Sequence, residues 1–533
     1  MGKCYALTME FARDNPNPAR FRLCRPRLKP IDLLLAALAV CLLLHSRGSM
    51  LDDPGVGWHV RGIDAMLAEG GWLVVDSFSG PQGGQPWLSN QWIGDLLLWL
   101  GWQWGGLEGI AAVTILVLLV VFRTLYGMLR ADGLTPLAAL VWTSLGALGT
   151  APAWTARPNL LAVLFVLITA WTLDRYHRGR ATARQTLWLL PLFAVWANAH
   201  GGFVAGLVML GAVWTIELAL SLGLPYYDTS NQEEHHSRHT ARRRLRHLSI
   251  LLPAAAACTL VNPYGWRLYP WVFQLLGNDY FMNLNMEWRS PDFHSRGAIC
   301  YEPLMLLLPL LLAASRRRPS LVGLGLSLLW LHFALSGFRY VALWVVVTVP
   351  MLARLSRDLP GMEFFTANDS RKAARRGGWL GIAAIGLGLL CWSRYTDGFS
   401  GHNPQHIPTA ALEYVLDHHD GRTVLHEYAW GGWLTWHGWP ELKNWIDDRN
   451  ELQGEAHVRR TVSLLRAEPG WRQQLADAGV AMVCIQPHRG LARALAEQPQ
   501  WNETYRDEHA VVFELRTSNA AGRPARRPRR GRG

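Results

Sequence analysis

Residues 51–92 read LDDPGVGWHVRGIDAMLAEGGWLVVDSFSGPQGGQPWLSNQW. This stretch gathers Asp52, Asp53, His59, Arg61, Asp76 and Ser77 among Trp58, Trp72, Trp87 and Trp92. Before it, residues 31–46 are almost wholly apolar, long enough to approach a ~30 Å hydrocarbon core. Carboxylates set directly after such a run lie at a membrane surface, where they are costly unless solvated or used. Plainer readings exist for each residue. Asp53-Pro54 suits a turn or a helix cap, and Trp at an interface is ordinary anchoring. What surrounds the loop therefore decides its meaning.

Apolar runs recur on both sides of it. Eleven spans are read, at about 31–46, 108–128, 136–152, 159–174, 186–199, 203–221, 248–261, 301–315, 320–336, 340–353 and 378–393. The stretch 91–104 is Trp-rich and carries Asp95, which suits an interfacial helix better than a twelfth span. With the N-terminus inside, the inner segments hold 27 Lys and Arg, and the short outer loops hold seven. That asymmetry is a strong positive-inside signal. The basic residues 1–30 precede the first run without a small-residue cleavage site, so they read as a cytoplasmic signal anchor. A bacterial inner membrane suits this pattern.

Composition agrees. Charged residues are 17% of the 533, Trp numbers 27 and the formal net charge is +12. The length exceeds one soluble core, the apolar content excludes general disorder, and seven Cys are too sparse for a disulfide scaffold. Nothing points to a nucleic-acid partner. The chain reads as an α-helical polytopic membrane protein, its transmembrane part at 31–393 and its first outer loop at 47–106.

After residue 393 the pattern changes. Residues 400–516 carry Asp, Glu and His freely, and short strand-like runs alternate with helical ones. Strands are predicted at 423–428, 480–485 and 510–515, and helices at 408–417, 458–466, 471–478 and 490–496. Odd span parity puts this small α/β domain outside the cytoplasm. The tail 517–533 is a disordered basic run, with contact to anionic lipid as the lesser reading. The loop 230–247 holds four His at irregular spacing, which suits a solvated charged loop better than a metal site.

Further polar clusters fall on the same outer side: Arg157, His200, Asn262, Glu287, Asp292 and Arg339. Singly, these are turn residues or snorkelling arginines. Together they place nearly every polar motif outside the soluble loops on one membrane face. A site at the outer lipid–water boundary accounts for that economically. A donor reachable there is a lipid. Carboxylates such as Asp53 and Asp52 can act as a base toward a hydroxyl, and arginines can hold a phosphate through forked bonds. The chemistry that fits is sugar transfer from a polyprenyl-phosphate-linked donor to an acceptor of undetermined identity.

These motifs resemble the GT-C superfamily of multi-pass glycosyltransferases, which includes protein O-mannosyltransferases, oligosaccharyltransferases and lipid A aminoarabinose transferases. The shared feature is an acidic motif just after span one. The chain is more similar still to a bacterial inner-membrane set with DPDxWWH, DxFS, WxNxHGG, NPxG, EWxSPDF, WGGxL and DxR in order. Here these match Asp53 to His59, Asp76 to Ser79, Trp196 to Gly202, Asn262 to Gly265, Glu287 to Phe293, Trp430 to Leu434 and Asp447 to Arg449. Two positions depart: Gly55 replaces the second Asp and Gly57 the first Trp. If that second Asp were the base, this chain would be impaired unless Asp52 compensates. The resemblance implies a GT-C fold, inverting transfer, and an acidic motif that either deprotonates the acceptor or holds a divalent cation such as Mg or Mn. The outer-face clusters and the loop together give His59, Arg61, Asp76, Arg157, His200, Asn262, Glu287, Asp292 and Arg339 as the candidate substrate-binding residues.

Two other classes compete. A transporter of lipid-linked glycan would place ionisable groups near the bilayer midplane, and these spans carry few. A non-catalytic assembly protein would use Trp430 to Trp433 and Asp447 to Arg449, residues that would equally line an enzyme's acceptor side. The charge asymmetry predicts that cysteine labelling finds position 300 outside the cytoplasm and position 24 inside. A cysteine placed at Ser290 that labels from the inside would break the topology and the site together.

Overall fold

The computed structural model describes residues 29–224, 238–359, 378–395, 398 and 400–516. The N-terminus through residue 28, the His-rich residues 230–237, the basic stretch 360–377 and the tail from 517 lie outside the described residues.

Helices cover all eleven apolar runs, from Pro30–His45 to Trp379–Tyr395. Among the described residues, Trp92–Ala131, Asn159–His177, Phe203–Ser221 and Phe338–Leu355 are long and apolar enough to cross a membrane. Shorter apolar helices are Pro30–His45, Glu302–Ala314, Leu321–Ser336 and Trp379–Tyr395. Local signals set several starts. Thr135 caps the helix Pro136–Thr150 by accepting from the Ala138 amide, with Pro136 in the first turn.

The segment 92–104 is a separate limb. Trp92–Ala131 is broken at Gly105 and Gly106, and Gly106 has φ +59° and ψ −140°, open in practice to glycine alone. The two limbs then touch through backbone: a Cβ on Gly109 would stand 1.9 Å from the Gly101 carbonyl oxygen. The last apolar helix packs at this bend, where Trp104 Nε1 donates to the Leu390 carbonyl at 2.7 Å.

At the opposite ends of the bundle, charges tie the helices together. Asp132 accepts from Arg354 at 2.8 Å and meets Arg178 at 3.3 Å. Asp174 pairs with the same two arginines at 2.8 and 3.0 Å.

The C-terminal part forms a four-stranded mixed sheet of order β1-β2-β4-β3. These strands are β1 (Thr423–His426), β2 (Val480–Ile485), β3 (Trp501–Arg506) and β4 (Val511–Leu515). β1 and β2 are parallel, and the other two pairs are antiparallel. Alternate side chains feed two cores. Leu425, Val483, Ile485, Val511 and Phe513 join one with helices Asn450–Leu465 and Gly490–Ala496. Val424, Met482, Cys484 and Val512 join another with Thr409–His418. Both faces of β2 are thus covered, which is why its sequence is continuously apolar.

This unit docks on the first loop. Helix Val56–Glu69 lies against helix Gly431–Gly438 so closely that a Cβ on Gly57 would stand 1.9 Å from the Gly432 carbonyl. A Cβ on Gly432 would stand 1.7 Å from the Pro54 carbonyl. Residues Phe78 to Gly80 run beside Asn444 through a parallel bridge and two backbone bonds of 2.8 and 3.1 Å. At the centre sits Arg449, 1% exposed. It donates to Asp76 at 2.6 Å and to Asp447 at 2.6 Å, over the Trp87 ring at 4.6 Å. Asp447 also accepts from Gln453 and Asn444, each at 2.9 Å. Burial alone would raise the Asp447 carboxyl, but Arg449 holds it below the ordinary range.

Arg449→Met keeps the length and strands two buried carboxylates. The expected loss is about 3–5 kcal/mol, read as earlier thermal unfolding and faster proteolysis of residues 400–516 in detergent. Adding Asp76→Asn should recover part of it.

Candidate active site

Asp53 follows the first helix in a turn stiffened by Pro54. Its Oδ1 accepts from the Gly55 amide at 2.8 Å, and its Oδ2 is paired with the Arg157 Nε. Arg157 continues to Glu287, donating through Nη1 at 2.6 Å. Two carboxylates on one guanidinium hold its fork in a fixed plane. Arg157 comes from the turn before Asn159–His177, and Glu287 from the long loop before Glu302–Ala314.

Beside Glu287, Trp288 is buried and carries the Arg339 guanidinium over its ring at 4.0 Å. Among the described residues, Arg339 makes no ion pair within 4.0 Å. The charge of Glu287 nonetheless acts on it. His200 closes this group. Its Nδ1 accepts from the Gly202 amide at 2.9 Å, so the proton of the neutral ring sits on Nε2. Burial, reinforced by Arg339, His59 and Arg157, pushes the His200 pKa down to about 3. It stays neutral at physiological pH and can donate one hydrogen bond.

His59 enters from helix Val56–Glu69. Its Nδ1 meets Asp95 at 2.7 Å, and Asp95 also accepts from Ser89 at 3.0 Å. With Asp95 ionised the ring proton sits on Nδ1, leaving Nε2 as an acceptor. Next to it Trp58 donates Nε1–H to Asp448 Oδ1 at 2.7 Å. Burial, then the charge of Asp447, raises the Asp448 carboxyl above its ordinary value, against the pull of Arg157. Gly55 lies between these groups. A Cβ there would stand 3.0 Å from Asp53 Oδ1, 3.1 Å from Asp448 Oδ2 and 3.2 Å from His59 Nε2.

Asp53, His59, Arg157, His200, Glu287 and Arg339 are therefore one cluster. The other sequence-derived candidates are engaged elsewhere. Asp52 accepts from the Asn403 amide at 2.8 Å and meets His406 at 2.9 Å, holding the start of the C-terminal unit. Arg61 binds the Trp436 carbonyl and Asp64. Asp76 belongs to the Arg449 network. Asn262 bonds within its own turn, accepting from the Tyr264 amide. Asp292 is exposed and caps a turn through the His294 amide.

Asp95 and Asp448 are the members that sequence reasoning did not assign. The signal for Asp95 was a lone carboxylate in an otherwise apolar, Trp-rich limb. Asp448 had only its place beside Asp447 and Arg449.

Among the described residues, no three His, Cys, Asp or Glu side chains are arranged to hold a metal ion. Near Gly55, Asp53 Oδ2 is paired with Arg157 and Asp448 Oδ1 accepts from Trp58. A shallow apolar crevice lies along Leu97, Leu98, Val113, Val117 and Leu161, with Arg157 in its wall.

No protein-family model and no curated protein sequence matches the chain. Solved structures do. ArnT from Cupriavidus metallidurans in the apo state is 16% identical, with 90% of this chain and 97% of that one covered and a TM-score of 0.51. The same protein bound to undecaprenyl phosphate gives 16% identity, 92% and 99% coverage and a TM-score of 0.49. Archaeal oligosaccharyltransferase AglB from Archaeoglobus fulgidus, in complex with an inhibitory peptide and a dolichol-phosphate, gives 12%, 86% and 69%, and 0.47. The likeness to apo ArnT, over nearly the whole of both chains, shows that this chain shares the fold of that protein.

Proposed function

We propose that the chain is an inverting membrane glycosyltransferase that moves a sugar from a polyprenyl-phosphate-linked donor to an extracytoplasmic hydroxyl acceptor. One observation carries the reading: on a GT-C fold, Asp53 shares Arg157 with Glu287, beside an Arg339 that makes no ion pair among the described residues. An aromatic-stacked guanidinium without a carboxylate partner suits a ligand phosphate.

The arrangement works as follows. Donor phosphate binds Arg339 and competes for Arg157, which weakens the hold of Arg157 on Asp53. Neutral His200 donates its Nε2–H to the same anion without adding charge. Asp53 then takes the acceptor's proton as the acceptor oxygen bonds to the anomeric carbon. The bond from that carbon to the phosphate oxygen breaks, its electron pair leaves with the lipid phosphate, and configuration inverts. The arginines stabilise charge where it develops.

In this reading the eleven apolar helices cross a bacterial inner membrane, with the N-terminus in the cytoplasm and residues 400–516 in the periplasm. Acceptors are envelope glycan, lipid or protein.

Asp53→Asn should insert normally and lower transfer at least ~100-fold, the scale of lost acid–base catalysis. Asp52→Asn should keep most activity, since Asp52 holds Asn403 and His406. Near-normal transfer by Asp53→Asn with an inactive Asp52→Asn would move the role one residue back. If the double variant transfers normally, this loop is not the reaction centre.

Arg339→Ala should weaken donor use by about 1.5–3 kcal/mol, the worth of a charged hydrogen bond, with little change in thermal stability. Unchanged donor affinity and activity would shift the phosphate role to Arg157.

A further inference from the structure

We propose that the C-terminal unit supplies a second carboxylate, Asp448, to the reaction centre, where it and Asp53 flank the acceptor hydroxyl. This rests on the transferase reading above.

The geometry starts from Gly55. A Cβ there would stand 3.0 to 3.2 Å from Asp53 Oδ1, Asp448 Oδ2 and His59 Nε2, so these three polar atoms converge on one glycine. A hydroxyl in front of it, clear of the backbone, would come within hydrogen-bond reach of both carboxylates. Each border group is held in place by a further contact. Asp53 is oriented by Arg157 and the Gly55 amide. His59 is oriented by Asp95. Asp448 is oriented by Trp58, on the same loop helix as His59. Asp448 Oδ2 makes no hydrogen bond among the described residues, so one oxygen remains for a ligand.

A structural role for Asp448 would be to accept from Trp58, and Oδ1 alone performs it. The free Oδ2 is what that role leaves unexplained. Two carboxylates around one small space favour a single shared proton over two bare charges. Asp448 would therefore counter the acid-strengthening pull of Arg157 on Asp53 and make it a better base. The burial that raises the Asp448 carboxyl acts in the same direction. In the transfer step the hydroxyl proton ends between the two carboxylates, while the electron pair of the broken bond leaves with the lipid phosphate. The sequence departure at Gly55 then has a physical meaning: a carboxylate carried there by the loop would occupy the space that Asp448 fills from the other domain.

The test uses the full-length protein in bacterial membranes and a polyprenyl-phosphate sugar as donor. Asp448→Asn keeps an oxygen for Trp58 and removes the charge. It should lower kcat roughly 100-fold, the scale of acid–base contributions, and move the ascending limb of the pH–rate profile to lower pH, with donor KM and thermal unfolding unchanged. Asp448→Ala should be equally poor, and Gly55→Asp in that background should restore at least a tenth of the wild-type rate. Gly55→Cys with Asp448→Cys should form a disulfide on mild oxidation, seen as two fragments held together after proteolysis between the domains.

Full activity and an unmoved pH limb in Asp448→Asn would overturn the inference. So would an active Asp448→Asn beside an inactive Asp448→Ala, because only the Trp58 bond would then matter. Absence of the crosslink would overturn the apposition itself. An inert wild type with the crosslink present would instead sink the transferase reading, and the catalytic role of Asp448 with it.

Discussion

The arrangement depends on one buried cation. Arg449 belongs to the C-terminal unit, yet it neutralises Asp76 of the first loop as well as its neighbour Asp447. A buried guanidinium between two carboxylates is a poor source of net stability, since desolvation cancels much of the Coulomb gain. Its value is positional. Once Asp76, Asp447, Ser79 and Gln453 satisfy one another, few other registers of loop against unit leave every charge paired. The neighbouring Asp448 and the loop helix with Trp58 and His59 are thereby set facing each other.

Glycine makes that apposition tight enough to matter. Gly57 and Gly432 let two short helices meet backbone to backbone. Any side chain at either position would force the two backbones apart, since its Cβ would stand 1.9 or 1.7 Å from a carbonyl oxygen. An indole at Gly57 would meet the Gly432 carbonyl.

Much of the fold was legible because burial in lipid writes long apolar runs. Helices cover every such run, and Gly105-Gly106 marks the bend between 92–104 and the run after it. β2 was readable to the residue for the same reason. β3 was not, because Trp501–Arg506 is an edge strand of mostly exposed polar residues. Helix Gly431–Gly438 was hidden behind two glycines that normally signal a turn and here serve contact. The candidate site was half legible. Asp53, Arg157, Glu287 and Arg339 stood out as polar residues on one membrane face. Asp53 leads the acidic motif in sequence with Asp52 as its alternative, and the bonds of Asp52 to Asn403 and His406 set the two further apart. Asp95 and Asp448 depend on contacts across distant parts of the chain, which no local pattern carries.

The bond from Trp58 to Asp448 spans 390 residues of sequence. Ribosomes add roughly 5–20 residues per second, so the loop emerges roughly 20 to 80 s before its partner exists. During that interval Asp76 has no Arg449, and the glycine face of the loop helix is bare. A half-made chain therefore holds its acidic loop open to water, and the site becomes whole only when synthesis is nearly finished. Release after residue 339 but before the sheet would leave a membrane-inserted protein with Arg157 and Arg339 present and its centre unbuilt.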